Sequence, residues 1–396
     1  MDWSERVDDD TEADLVRWRR YMHERPELSF EEFETTKYVA GMLDEWGISY
    51  DRPMPTGLVA HVHGKHPGPI VAYRCDLDAL PIEEQNTFEF RSHTAGKMHA
   101  CGHDGHTAIL LGLARTLSDL RDEIHGEVRL LFQPAEEVTE SGARHLIETG
   151  ALEGVDAVIG LHLISSIETG LISLTKGPIM AAADTFEITV TGKGGHGGYP
   201  HEAIDPLMIA AGLVGQLQTI VSRRVSPMDP AVVSIGSFHA GSAPNIIPGS
   251  AVLTGTVRTL SEKVRAKIAV DITTMAETYA RAHGGTAEVK YGWGSPACSN
   301  DGALVDFLLP AAAGAVGSSS VRALPPEMGG EDFAYYAKVA PTAFALIGSG
   351  NKELESDFPH HHPRFTVDER ALGVGLRFML ESVERTSGGQ AKLPVG

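Results

Sequence analysis

Cysteine is scarce in this chain: three in 396 residues, Cys75, Cys101 and Cys298. An odd, sparse set makes no disulfide framework, so a reducing compartment is expected. Positive charge is also in short supply. Lys and Arg number 33 against 53 Asp and Glu, a formal net charge of -20. A surface of that sign repels phosphate backbones and anionic lipid heads, which argues against nucleic acid or a membrane surface as a partner. No apolar run approaches the ~20 residues needed to span a bilayer. The stretch from Met1 to Glu12 is acidic, whereas a signal peptide opens with basic and then apolar residues. A cytoplasmic protein is expected. There is no internal repeat. The glycine-rich segment 192–198 lacks the Lys-Ser or Lys-Thr ending of a phosphate-binding loop.

What is present suits a large globular chain. At 42% hydrophobic residues there is ample material for a core, and the length favours two domains. Helical spacing marks 11–47, with a break before Glu31 and a stop at Gly47. Short apolar runs at 58–63, 70–75, 128–132 and 157–163 read as strands, and 104–120 and 143–149 read as helices, the former capped by Asp104. This alternation predicts an α/β domain built on a largely parallel sheet. From about residue 183 the pattern changes to strand, helix (204–223), two strands, helix (261–283), strand. That is the β-α-β-β-α-β order of a ferredoxin-like sandwich. After 297 the α/β pattern resumes. The expected organisation is a discontinuous catalytic domain of 1–182 and 297–396 around an inserted α+β domain of 183–296. The tail after Ser387 reads as disordered.

Metal-type ligands gather at the predicted strand ends. Cys101 and His103 lie two apart just before a helix, so both can face one site from a turn, and thiolate with imidazole suits a divalent transition metal. The helix N-terminus is expected to depress the thiol pKa. The pair Glu136-Glu137 follows an apolar strand, where open α/β sheets place their sites. One carboxylate could bind metal while the other serves as a general base. His162 ends a buried strand, Asp76 and Asp78 follow another, and His360, His361 and His362 form a run after Pro359. Each feature alone has an ordinary reading as surface charge or a core histidine; their convergence on strand ends is what favours a site. In the inserted domain, the glycine-rich segment reads as a mobile loop carrying His196. Asn245 stands between prolines that stiffen its backbone, and Arg258 ends a strand.

Six motifs in order complete a resemblance: Asp76-Leu77-Asp78-Ala79-Leu80-Pro81, His99 to His106, Gln133-Pro134-Ala135-Glu136-Glu137, Gly160-Leu161-His162, Gly329 to Phe333, and His361-His362-Pro363-Arg364-Phe365. The chain resembles the M20 metallopeptidase superfamily, most closely its branch of hippurate hydrolases, N-acyl-amino-acid amidohydrolases and auxin-conjugate hydrolases, over about Leu15 to Leu380. The resemblance implies two divalent ions per subunit (Zn, Mn, Co or Ni), held by Cys101, His103, Glu137, His162 and His361, with Cys101 bridging. It implies Glu136 as general base, supported by Asp76 and His196. It also implies contact of His196, Asn245 and Arg258 with a small N-acyl amino acid, and a homodimer, or dimer of dimers, through the inserted domain. Cys75 stands where the family commonly has a small residue, and His362 where Ser is usual. Dipeptidase or other exopeptidase activity is the nearest alternative, and a non-catalytic binding protein on the same scaffold is the alternative of a different class.

Overall fold

Runs of β-branched and other apolar residues, cut by Gly and Pro, become the central strands of this computed structural model, which describes residues 3–389 and 392–394. The chain forms two units. One comprises Met1–Gly177, Ser299–Pro325 and Tyr335–Gly396; the other comprises Pro178–Cys298 and Pro326–Ala334. In the first unit four parallel strands lie in the order His125–Gln133, His66–Asp76, Ala157–Glu168, Thr342–Gly350. Their middles are buried on both faces. This is why they read as continuous apolar runs with no alternation. Leu58–His63 and Ser49–Asp51 extend one edge antiparallel, and the two-residue strands Ile172–Ser173 and Val321–Arg322 extend the other.

Helices cover this sheet. His103–Asp119 is buried on nearly every side, from His103 through Leu117. A Cβ at Gly112 would lie 2.7 Å from Leu15 and 3.0 Å from Leu376, so glycine lets the helices Asp9–His23 and Arg370–Ser387 approach closely. Asp104 was expected to cap the central helix. Gly102 occupies that position instead, with φ +93°. Asp104 cannot serve as the cap because its side chain is engaged elsewhere: Oδ2 accepts from Arg19 Nε at 3.1 Å and faces His23 Nδ1 at 2.8 Å. The tail after Ser387 lies partly outside the described residues. Within them Leu393 is 5% exposed and joins the core, so the expected disorder does not extend to it. Among the described residues no helix is long and apolar enough to cross a membrane.

The second unit has an antiparallel sheet in the order Ala231–Ala240, Ser250–Thr259, Ala182–Thr191, Thr286–Gly292. With the helices Pro206–Thr219 and Glu262–Ala282 this is the ferredoxin-like arrangement. Its own core includes Ile188, Leu213, Leu253, Ile268 and Ile272. Inside it Asp184 accepts from both Arg265 Nε (2.9 Å) and Nη2 (2.6 Å) and from Tyr291. The segment Pro326–Ala334 groups with this unit, although sequence patterning puts it in 297–396. It is held there by backbone bonds from Ala181 N to Gly329 O (2.8 Å) and from Glu327 N to Ile179 O (2.9 Å).

Candidate metal centre

The C-terminal ends of the parallel strands deliver the polar residues. Asp76 ends its strand opposite Gln133, the last residue of the neighbouring strand. His162 lies within Ala157–Glu168 and does not end it, since the strand continues six residues further. After Gln133 the backbone turns sharply, with Ala135 at φ +54°. Three successive N–H groups there are held by two buried carboxylates. Ala135 N donates to Glu32 Oε1 (2.8 Å), and Glu136 N and Glu137 N donate to Asp78 Oδ1 and Oδ2 (3.0 Å each). The Glu136-Glu137 pair is therefore fixed by residues from other parts of the chain. The His361 backbone takes φ +65° and its N–H donates to Ala100 O at 2.8 Å, docking the histidine run beside Cys101.

Hydrogen bonds sort the histidines by which nitrogen keeps a lone pair. His103 Nδ1 bonds Asp78 O at 2.8 Å, and a carbonyl can only accept, so Nε2 bears the lone pair. His162 Nδ1 bonds Leu163 O at 2.8 Å, with the same consequence. His106 is the reverse. Its Nε2 accepts from Leu163 N (2.9 Å), so Nδ1–H donates to Asp76 Oδ1 (2.7 Å). His103 and His162 thus offer metal-binding nitrogens, and His106 holds Asp76.

Two donor sets share one sulfur. Cys101, His103 and Glu137 place ligand atoms within 4.8 Å of one another, as do Cys101, His162 and His360. His361 Nε2 lies 3.3 Å from Glu137 Oε1. His103 Nε2 is buried without a hydrogen-bond partner. Unpaired buried polar atoms are costly, and thiolate, imidazole and carboxylate together make a donor set that a divalent transition cation satisfies. The residues fit such an ion.

Against burial, Asp76, Asp78 and Cys101 push His103 well above its ordinary range; a divalent cation at Nε2 would take the place of that proton. Burial alone would raise the Asp76 carboxyl, but His103, Arg74 and His106 outweigh it and hold the group well below the carboxylate range. Arg74 Nη1 donates to Asp76 Oδ2 at 2.7 Å. Burial and the neighbouring His106 and His360 keep His162 well below its ordinary range, hence neutral. Burial, reinforced by the Glu137 charge, pushes the Cys101 thiol well up. The helix end was expected to lower it; burial prevails, and the thiolate needs a cation beside it. Burial and the Asp78 charge push Glu32 up to about 7.

Among the residues singled out from sequence, Asp76, Cys101, His103, Glu136, Glu137, His162 and His361 all belong to the first unit. His196, Asn245 and Arg258 belong to the second. There the glycine-rich segment is not a free loop. Gly195–His196 pairs antiparallel with Ile246–Ile247, and Gly197 N donates to Asn245 O at 2.8 Å, so His196 and Asn245 share one short ribbon. Arg258 bonds Thr256 Oγ1 and its neighbour Val257 O. Glu32 and Arg74 were not singled out from the sequence, and His360 only as a member of the histidine run whose matching ligand is His361. Arg74 had a signal, a charge inside an apolar strand; Glu32 had none.

Comparison with known proteins accords with this geometry. The profile of Peptidase family M20/M25/M40 matches residues 72–385. The chain is 43% identical over 376 residues to an N-acetyl-L-cysteine deacetylase of Bacillus subtilis, covering 94% of this chain and 88% of that protein. It is 47% identical over 290 residues to an N-acyl-L-amino acid amidohydrolase of Geobacillus stearothermophilus, covering 73% and 78%. A crystal structure from Bacillus subtilis, described as a dinuclear metal binding peptidase of the M20 family, superposes with a TM-score of 0.82 at 37% identity, covering 95% of this chain and 98% of that one. The chain belongs to Peptidase family M20/M25/M40 and is a hydrolase of amide bonds.

Proposed function

We propose that the chain hydrolyses the amide bond of N-acyl amino acids, with Glu136 as general base beside two divalent cations. The observation that carries this reading is that Cys101 Sγ shares a donor set with His103 and Glu137 and also lies 3.5 Å from His162 Nε2. A sulfur so placed would serve both ions. His103, Glu137 and His361, whose Nε2 lies 3.3 Å from Glu137 Oε1, would serve one side, and His162 the other. Mixed sulfur, nitrogen and oxygen donors suit Zn²⁺, Mn²⁺, Co²⁺ or Ni²⁺. When bound, such ions acidify water and polarise a carbonyl oxygen.

Glu136 sits one residue before Glu137 on the same clamped turn, its N–H held by Asp78. In the proposed reaction its carboxylate takes a proton from water as the new C–O bond forms at the acyl carbon. It then returns that proton to the leaving nitrogen as the C–N bond breaks. Asp76 is held by Arg74 and His106; its Oδ2 lies 3.7 Å from His103 Nε2 and adds negative charge on the side where that nitrogen would meet a cation. Substrate contact by His196, Asn245 and Arg258 rests on the family resemblance. N-acyl amino acids are favoured because two relatives carry such substrates in their names.

Glu136→Gln is the direct test. Assayed on N-acetyl and N-benzoyl amino acids beside free dipeptides, it should retain two ions per chain while kcat falls by about 10²–10⁴. Near-normal turnover would end the assignment.

A further inference from the structure

The histidine run contains two imidazoles that the ligand set above does not use, His360 and His362, and the first of them stands beside Cys101. His360 Nδ1 lies 3.6 Å from Cys101 Sγ, close to the 3.5 Å that separates the same sulfur from His162 Nε2. Distance alone does not say what His360 does. Metal–sulfur and metal–nitrogen bonds of ~2.3 and ~2.05 Å at a tetrahedral angle put ligand atoms roughly 3.5 Å apart, and an N–H···S hydrogen bond has a similar length.

The other ring nitrogen decides. His360 Nε2 faces Ser165 N at 3.4 Å. A backbone N–H can only donate, so Nε2 keeps its lone pair and the proton of the neutral ring sits on Nδ1. That N–H points at Cys101 Sγ. The pattern is that of His106, whose Nε2 also accepts from a backbone N–H of the same strand, and the opposite of His162 and His103. The ring is well located: its centroid lies 4.8 Å from that of Phe365 and 5.2 Å from that of His162. The left-handed turn at His361 sends the next imidazole to Glu137 (3.3 Å).

We infer that His360 is a positioning residue that donates Nδ1–H to the Cys101 thiolate, while His361 faces the cations. The inference rests on the dinuclear reading above. A hydrogen bond to a bridging thiolate lowers the energy of the sulfur lone pairs. It fixes the direction of the Cβ–Sγ bond and offsets part of the charge that burial makes costly.

The test uses the full chain freed of metal and reloaded with Co²⁺, read by ions per chain and by the sulfur-to-cobalt charge-transfer band. The wild type should bind two ions and show the band. His360→Phe keeps the ring volume against Phe365 but removes the donor. It should still bind two ions, with the band moved to lower energy and cobalt affinity about 10–100-fold weaker. His360→Asn, whose amide N–H falls near the position of Nδ1–H, should return the band towards the wild-type position. It also serves where the Phe variant folds poorly. Loss of one whole ion in His360→Phe would make His360 a ligand and overturn the inference, as would an unmoved band. If the wild type shows no such band, the failure lies with the dinuclear reading itself.

Discussion

At the scale of single residues, a buried imidazole is useful to a metal only when its far nitrogen is already committed. That commitment is made by backbone atoms the sequence does not display. The motif around Cys101 announces a metal site because thiol and imidazole stand two residues apart. Nothing in it tells that His103 is fixed by Asp78 O, or His106 by Leu163 N. The run 360–362 was legible as a ligand source, but the division of work between its members depends on one left-handed residue and one strand amide. Glu32 was invisible for a plainer reason: on the sequence it is one acid among several near a helix start. Buried, it holds the turn before Glu136 and is pushed up to about 7 from 4.5 by burial and by Asp78. This has a consequence for stability. Between those values the folded chain keeps a proton that the unfolded chain has released. The contribution is full below about pH 4.5 and is lost as pH rises through about 7. Glu32→Gln keeps an acceptor for Ala135 N without the charge. The prediction is that chemical denaturation shows the variant gaining on the wild type from pH 5 to 8, on the order of 2 kcal/mol. A constant difference across that range would contradict it.

At the scale of elements, strands were easier to read than turns. Doubly buried parallel strands announce themselves as apolar runs, and their C-terminal ends are where a site belongs. What the runs cannot show is how the chain leaves them. The turn after Gln133 depends on Ala135 at φ +54° and on Gly142, whose N–H bonds Ala135 O at 2.9 Å. A Cβ on Gly142 would fall 1.7 Å from Pro134 O, a backbone atom that must move. Gly142→Ala is therefore expected to displace Glu136 and Glu137 together, with metal content and activity falling in step, activity by more than about tenfold. Gly41→Ala is the control. Its Cβ meets nothing within 4 Å, and in the helix Phe33–Glu45 it should raise stability by about 0.5–1 kcal/mol. Metal retained in full by Gly142→Ala would show that the turn does not govern the ligands. The same limit explains the glycine-rich segment of the second unit. Glycines read as mobility, yet pairing with Ile246–Ile247 makes it a ribbon, and that pairing spans about fifty residues of sequence.

At the scale of the whole molecule, the return of α/β patterning after an α+β interval is a change of periodicity at each junction, and the chain divides into two units whose junctions fall at Gly177–Pro178 and Cys298–Ser299. The short segment Pro326–Ala334 could not be placed that way. It has no periodicity, and its position is set by backbone bonds to Ile179 and Ala181. Two separate hydrophobic cores serve the two units. All five proposed metal ligands belong to the first, so the central claim concerns one unit: a sulfur between two cations. Metal K-edge X-ray absorption on the reconstituted full-length chain addresses it most directly. The account predicts a sulfur scatterer at about 2.3 Å together with a metal–metal vector near 3.5–4 Å, both absent in Cys101→Ala. A first shell of nitrogen and oxygen only, with no metal neighbour and no change on replacing Cys101, would contradict it.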